Sequence, residues 1–267
     1  MYRLYSFDGV TLPDARSEFD GDTAQAWLGA VALPGGTRAF DSLGSGQAPL
    51  VTPYLLEYSS VVSASSLATL ESTVSAWRAK TGVRGLLRRR VLSAATYQDI
   101  TARLVEITMP IRPTATHGKQ IKLTWRFQVL DEFWRHASKT STSATLDSNP
   151  KTFDVVNAGN AIIRDCIFTI TAGSADITAM TFNMVSGTYN WNYNGTIPAG
   201  TSIIVDAGAR RVRSNAGVDQ YANFVLNSGH VWEDWIGIPN GTRTVVIAKN
   251  GGSTNSTVVM EYYSKYV

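Results

Sequence analysis

Three histidines, one cysteine and one Asp-Gly-Asp turn are the side chains of this 267-residue sequence most suited to chemistry. His117, His136 and His230 form no HExxH pair, and no CxxC pair, GxSxG elbow or phosphate-binding glycine loop accompanies them. The glycines of DSLGSGQAP (41–49) lack the preceding strand and following helix of a nucleotide fingerprint, so that stretch reads as a loop. Asp20-Gly21-Asp22 supplies two carboxylates, but the further oxygen ligands of a calcium loop are missing and an exposed turn is expected. Cys166 sits in an alternating apolar run, where a lone thiol reads as a small buried hydrophobe and cannot close an intrachain disulfide. A Ser-His-Asp site needs a serine marked by its local sequence, and none is. Paired carboxylates for glycoside hydrolysis cannot be picked out either. The residues point to a non-enzymatic binding or structural protein, with no catalytic residue, no cofactor and no metal site.

Binding chemistry leaves clearer marks. Arg88, Arg89 and Arg90 are consecutive. In a strand the outer two share one face and the middle one opposes them, so they do not make a compact anion cradle. They read first as a solvated or inter-subunit salt-bridging face, then as a charged pore or ring surface, and last as a nucleic-acid contact. Lys122, Arg126 and Gln128 alternate along a second strand candidate and are long enough to pair across a subunit joint. Trp191, Tyr193, Trp232 and Trp235 are the aromatics that would stack on a sugar if exposed, although each reads more simply as core or hairpin packing.

These side chains must be positioned mainly by strands. Tyr2, Leu4 and Phe7 lead into the Asp8-Gly9 turn, a second apolar stretch covers 24–33, and 50–62 reads as a long strand. Ser65-Ser66 opens the one convincing helix: Leu67, Leu70, Val74 and Trp77 recur at helical spacing, and Gly82 stands where a left-handed cap is expected. Strands follow at 85–92, 97–109 and 119–130. In the last of these Ile121, Leu123, Trp125, Phe127 and Val129 alternate with Lys122, Thr124, Arg126 and Gln128.

The stretch KTSTSATLDSNPK (139–151) has Leu146 as its only large apolar side chain and reads as a linker or a solvent-washed opening strand. It divides an N-terminal domain (1–138) from an outer domain (153–267), with 139–152 between them. Beyond it, short alternating strands at 153–156, 162–171, 177–185, 189–194, 203–206, 210–213, 231–235, 244–248 and 258–263 are separated by glycine-bearing turns. This pattern argues for an antiparallel β-sandwich able to fold alone. The Asn-Gly-Thr and Asn-Ser-Thr triplets at 194, 240 and 255 read as turn chemistry rather than glycosylation sites.

Charge adds little. The first 140 residues hold 16 basic and 12 acidic side chains and the remainder hold 8 and 9, too weak a bias to argue nucleic-acid binding. The sequence has no membrane-spanning apolar run, and the start MYRLYSFDGV lacks a secretory apolar segment, so the expected setting for synthesis is a reducing cytoplasm.

The order of elements resembles a known family. Paired strands, a short helix ending near Gly82 and three strands closing at VLDEFWR (129–135) are similar to the N-terminal, ring-forming domain of distal tail proteins of long, flexible-tailed bacteriophages. FDVVNAGNAIIRDCIFTI (153–170), GTIPAGTSIIVDAGARRVRSNAG (195–217), HVWEDWIGIPNGTRTVVI (230–247) and MEYYSKYV (260–267) are similar to the strands and turns of that family's outer domain. Two departures are visible: Ile162-Ile163 replaces a proline that often follows the Asn-x-Gly turn, and the loops carry no inserted binding module. The resemblance implies a mainly β chain with an N-terminal β-sandwich or split-barrel domain of the tail-tube type, carrying one helix. It further implies a C-terminal antiparallel β-sandwich of jelly-roll or galectin-like form. It also implies a homo-hexameric ring at the virion tail tip. The tail tube protein and tail-tip hub or receptor-binding proteins would be its partners, and DNA would pass only through its lumen. A carbohydrate-binding adhesin or lectin-like module is the alternative, and a nucleic-acid-binding protein using Arg88–Arg90 and Arg210–Arg213 a weaker one.

Overall fold

The computed structural model describes residues 2–13, 55–91, 96–109, 120–131, 133–185, 189–226 and 236–266. The stretches 24–33, 41–49 and 231–235, the Asp20-Gly21-Asp22 turn, His117 and His230 lie outside them. The chain divides into two compact units, Met1–Trp134 and Arg135–Val267, and both are built mainly of antiparallel strands.

The first unit holds β1 (Tyr2–Phe7), β2 (Val10–Thr11), β3 (Leu55–Ser63), helix α1 (Leu67–Arg78), β4 (Arg84–Val91), β5 (Thr96–Thr108) and β6 (Gln120–Val129), with β7 (Trp134–His136) at the division. Asp8 and Gly9 both adopt positive φ, 47° and 77°, which closes the β1–β2 hairpin in two residues. The strands run in the order β2-β1-β4-β5-β6-β3. Strand β5 pairs with β4 over its first two-thirds and with β6 over its last half.

One contact shows that this sheet is not flat. Phe7 of β1 meets Phe127 of β6 with ring centroids 5.1 Å apart. Three strand steps separate β1 from β6, about 14 Å in an open sheet at ~4.8 Å per step. The sheet therefore curls, and its concave side holds Leu87, Ile100, Leu104, Leu123, Trp125 and Phe127 with no exposure. The alternation read from β6 is realised along its whole length, burying Ile121, Leu123, Trp125, Phe127 and Val129.

Helix α1 packs into that concavity. Ser66 caps it, its Oγ accepting from the Thr69 amide at 3.1 Å. Leu70, Val74 and Trp77 are buried, and Trp77 meets Trp125 edge-on at 5.6 Å. Leu67, expected on the same stripe, is 42% exposed. Gly82 also differs from expectation. The helix ends at Ala79, and Gly82 (φ 85°) donates its amide to the Leu104 carbonyl at 2.7 Å. It joins the turn to β5 rather than closing the helix.

The second unit is a two-sheet sandwich. Its elements are β8 (Thr140–Thr145), β9 (Lys151–Asn157), β10 (Ile167–Thr171), β11 (Ile177–Met184), β12 (Trp191–Tyr193), β13 (Ser202–Asp206), β14 (Arg211–Ser214), a 3-10 turn (Tyr221–Asn223), β15 (Phe224–Leu226), β16 (Gly241–Gly251), β17 (Thr257–Tyr262) and β18 (Lys265–Tyr266). One sheet runs β14-β13-β10-β17-β8 and the other β15-β12-β11-β16-β9. Phe168 of the first sheet meets Phe182 and Trp191 of the second at 5.1 and 5.8 Å, so the inner faces interlock. The polar stretch before 152 is a strand of this unit: β8 pairs with β17 over six residues without a bulge, and Leu146 is buried in the sandwich core.

Asn157 fixes the corner that follows β9. Its buried amide donates to the Ala161 and Ile238 carbonyls at 2.8 and 3.1 Å, and its oxygen accepts from the Gly159 amide at 2.9 Å. A Cβ on Gly159 would lie 1.9 Å from the Lys265 carbonyl oxygen, so glycine is required there. Cys166 is fully buried, and burial pushes its thiol well above the ordinary range, which makes it a packing residue.

Candidate interaction face

The convex side of the first unit carries the charged side chains that the sequence singled out. Alternation on β4 turns Leu87 and Arg89 inward and Leu86, Arg88 and Arg90 outward. The β4–β5 register sets Arg88 opposite Asp99, Leu86 opposite Thr101 and Arg84 opposite Arg103. The β5–β6 and β3–β6 registers then line up Glu106, Arg126 and Glu57 in one row, and Arg103, Gln128 and Leu55 in the next.

The three consecutive arginines have three different environments. Arg88 clasps Asp99 through two hydrogen bonds of 2.7 and 2.9 Å, and its guanidinium lies 5.7 Å from the Tyr97 ring. The hydrogen bond to Asp99 raises the Arg88 pKa above its ordinary value. Arg89 is buried: Nε donates to Gln98 at 2.7 Å and the guanidinium stacks 4.2 Å from the Trp134 ring. Arg89 therefore does not contribute to the outward face. Arg90 is exposed. Tyr5, at a bulge in β1, packs its ring 5.1 Å from Tyr97 on the outward side.

Lys122 is exposed and Gln128 half-buried, both facing outward. Arg126 spends its charge within the chain: Nε donates to Glu57 and Nη1 to Glu106, each at 2.9 Å. All three side chains are about half exposed, so the pairing contributes little to stability in water. Its pH dependence nonetheless has a definite sign. Hydrogen bonds from Thr108 and then Arg126 lower the Glu106 pKa. A carboxyl lowered on folding contributes stability above its unfolded pKa and loses it as pH falls through the lowered folded value. Arg126→Glu replaces the pairing with three adjacent carboxylates. Its midpoint in urea is expected to fall below the parent's by the most at neutral pH. The gap should close as acid protonates the carboxylates; one that widens in acid would contradict the assignment.

The sugar-stacking expectation is corrected for two of its four residues. Trp191 and Tyr193 are fully buried. Trp191 stacks on Phe182 at 5.1 Å with an interplanar angle of 5°, and the Tyr193 hydroxyl donates to Gln220 at 3.0 Å. Burial raises the Tyr193 pKa. Alternation along β12 sends the rings inward, where the opposing sheet covers them, and leaves Asn192 between them on the other face. Trp232 and Trp235 lie outside the described residues.

Among the described residues, no three His, Cys, Asp or Glu side chains gather as a metal requires, and no helix is long and apolar enough to cross a membrane. Arg84 and Arg103 are the residues of this face that sequence reasoning missed. Each stands at least 19 positions from Lys122, Arg126 and Gln128 and from the other, and only the hairpin register brings Arg84 and Arg103 side by side.

No family model and no curated protein matches the sequence. Among solved structures, the Dit protein (gp 19.1) of phage SPP1, described as a paradigm of the hub adsorption apparatus in Gram-positive-infecting phages, superposes over 100% of both chains. The TM-score is 0.61 and the identity 14%. This chain has the fold of SPP1 Dit. The phage P2 baseplate in its activated conformation, with calcium and with strontium, gives TM-scores of 0.38 and 0.37 at 9% and 8% identity. Those matches cover all of this chain and 92% of theirs, and they superpose too loosely to define a fold.

Proposed function

We propose that this protein is a structural component of a phage tail tip, a distal tail protein that forms a closed hexameric ring joining the tail tube to the tip and docking host-recognition proteins. The observation that carries this reading is the end-to-end match of the fold, both units included, to SPP1 Dit. The ring is built from the N-terminal units. Arg90, Lys122 and Gln128, which face outward without an ion pair among the described residues, are its candidate joint contacts. Arg88 and Arg126 act there only through pairs already made within the chain. The work is positional: a cyclic array presents two axial faces, one for the tube and one for the tip. No bond is made or broken.

Native mass spectrometry and light scattering of the full-length protein test this. A cyclic species is expected, with six copies as the dominant stoichiometry, either alone or on mixing with a tail tube protein. A strict monomer from dilute to concentrated protein, with and without that partner, would refute the ring.

A further inference from the structure

On the convex sheet of the first unit, Arg84 and Arg103 stand directly opposite one another on β4 and β5. Facing residues of an antiparallel pair hold their Cβ atoms roughly 5 Å apart, and like charges so placed destabilise the pairing. Both side chains are exposed, and neither has an ion pair among the described residues. The row beside them adds Leu86, 39% exposed on the same face. An apolar side chain flanked by two guanidinium groups that have no ion pair among the described residues resembles the centre of a contact surface more than a solvated face.

We propose that this patch, Arg84, Leu86 and Arg103, docks a second protein of a different kind from this chain, one that presents paired carboxylates around an apolar residue. The inference goes beyond the ring reading and holds whether or not the chain closes into a ring. Two observations choose the occupant. First, among the described residues a second copy offers few unengaged carboxylates. Glu57 and Glu106 share Arg126, Asp99 holds Arg88, Asp8 holds Lys80, and Asp131 accepts from the Thr101 amide. In the other unit, Asp147, Asp165 and Glu261 are ion-paired with lysines. Asp154, Asp176, Asp206 and Asp219 accept hydrogen bonds from hydroxyl or amide groups. Glu71 alone of the described carboxylates has no such partner. Second, a nucleic acid fits badly. The row next to Arg103 carries Glu106 and Glu57, so a continuous polyanion crossing the patch would meet carboxylates on the same face. A protein surface with localised acids does not.

The full-length protein and its Arg84→Gln/Arg103→Gln variant provide the test. Three measurements are made at low salt: binding of a labelled 20-residue polyglutamate peptide, binding of a 20-base-pair DNA duplex, and sedimentation of the protein itself. Arg211→Gln/Arg213→Gln, which removes equal charge from an exposed strand of the other unit, is the control. The peptide is expected to bind the parent and to lose about tenfold or more in affinity in the first variant. The control should lose little, and self-association should be unchanged. The melting temperature of the first variant should hold or rise, because a repulsion has been removed. Undetectable peptide binding, equal losses in both variants, a larger loss for DNA than for peptide, disrupted self-association or a lowered melting temperature would each overturn the proposal.

Discussion

Replacing Trp77 with alanine is expected to cost the first unit about 3–5 kcal/mol. Trp77 is 2% exposed and lies edge-on against Trp125, which in turn packs against Tyr58 of β3 at 5.6 Å. The indole is thus the contact through which the helix reaches the centre of the curled sheet, and truncation leaves a hole lined by two strands that pair with each other over nine residues. Strands held in such a register cannot close around the space, so the cost belongs near the top of the range for large-to-small changes. Leu67→Ala on the same helix is the natural comparison. Leu67 is 42% exposed, and a change smaller than that at Trp77, of about 1 kcal/mol or less, is expected. Urea melts of the two variants followed by tryptophan emission would measure both. Similar losses would mean that the helix does not pack through the stripe described above.

A fragment beginning at Arg135 is expected to fold cooperatively, whereas one beginning at Phe153 is expected to lose most or all of its cooperative transition. The shorter fragment lacks β8, which pairs with β17 from Thr140 to Thr145, and lacks Leu146, which is 1% exposed in the sandwich core. Losing a buried leucine alone costs about 2–5 kcal/mol. Losing the adjoining strand also exposes the edge of β17, whose Val258, Met260 and Tyr262 face the core. Together these losses rival the whole stability of a domain, ~5–15 kcal/mol. Far-UV dichroism with thermal melts of both fragments decides the matter. A shorter fragment as stable as the longer one would show that β8 is a passenger on the sandwich.

The contrast between β6 and β8 shows what a sequence makes legible. In β6, five large apolar residues alternate with polar ones, so period, inward face and length are all visible. In β8 every side chain but Ala144 is Ser or Thr. Threonine has good strand propensity, but neither residue offers much apolar surface, so the stretch looks equally like a tether. What makes it a strand is the neighbouring β17, which no local pattern reveals. The same holds for the outward face of the first unit. That Arg89 opposes Arg88 and Arg90 follows from alternation alone, whereas which face turns inward depends on packing. The clasp of Arg88 on Asp99 and the opposition of Arg84 and Arg103 depend on hairpin register, a property of two strands together. Trp191 and Tyr193 illustrate the reverse case. Alternation placed both rings on one face, and only the opposing sheet made that face the interior.

Thr140 at the start of β8 lies directly opposite Tyr262 at the end of β17. The chain thus enters and leaves the sandwich through adjacent strands of one sheet, at the same end of it. A unit with neighbouring ends can be circularly permuted: a short Gly-Ser bridge joins the old ends, and new ones open at an exposed turn such as Asn215–Gly217 without any strand changing place. By the same geometry, it can be exchanged as a cassette between otherwise different chains. Recombination that swaps this unit of such a protein needs only two nearby junctions.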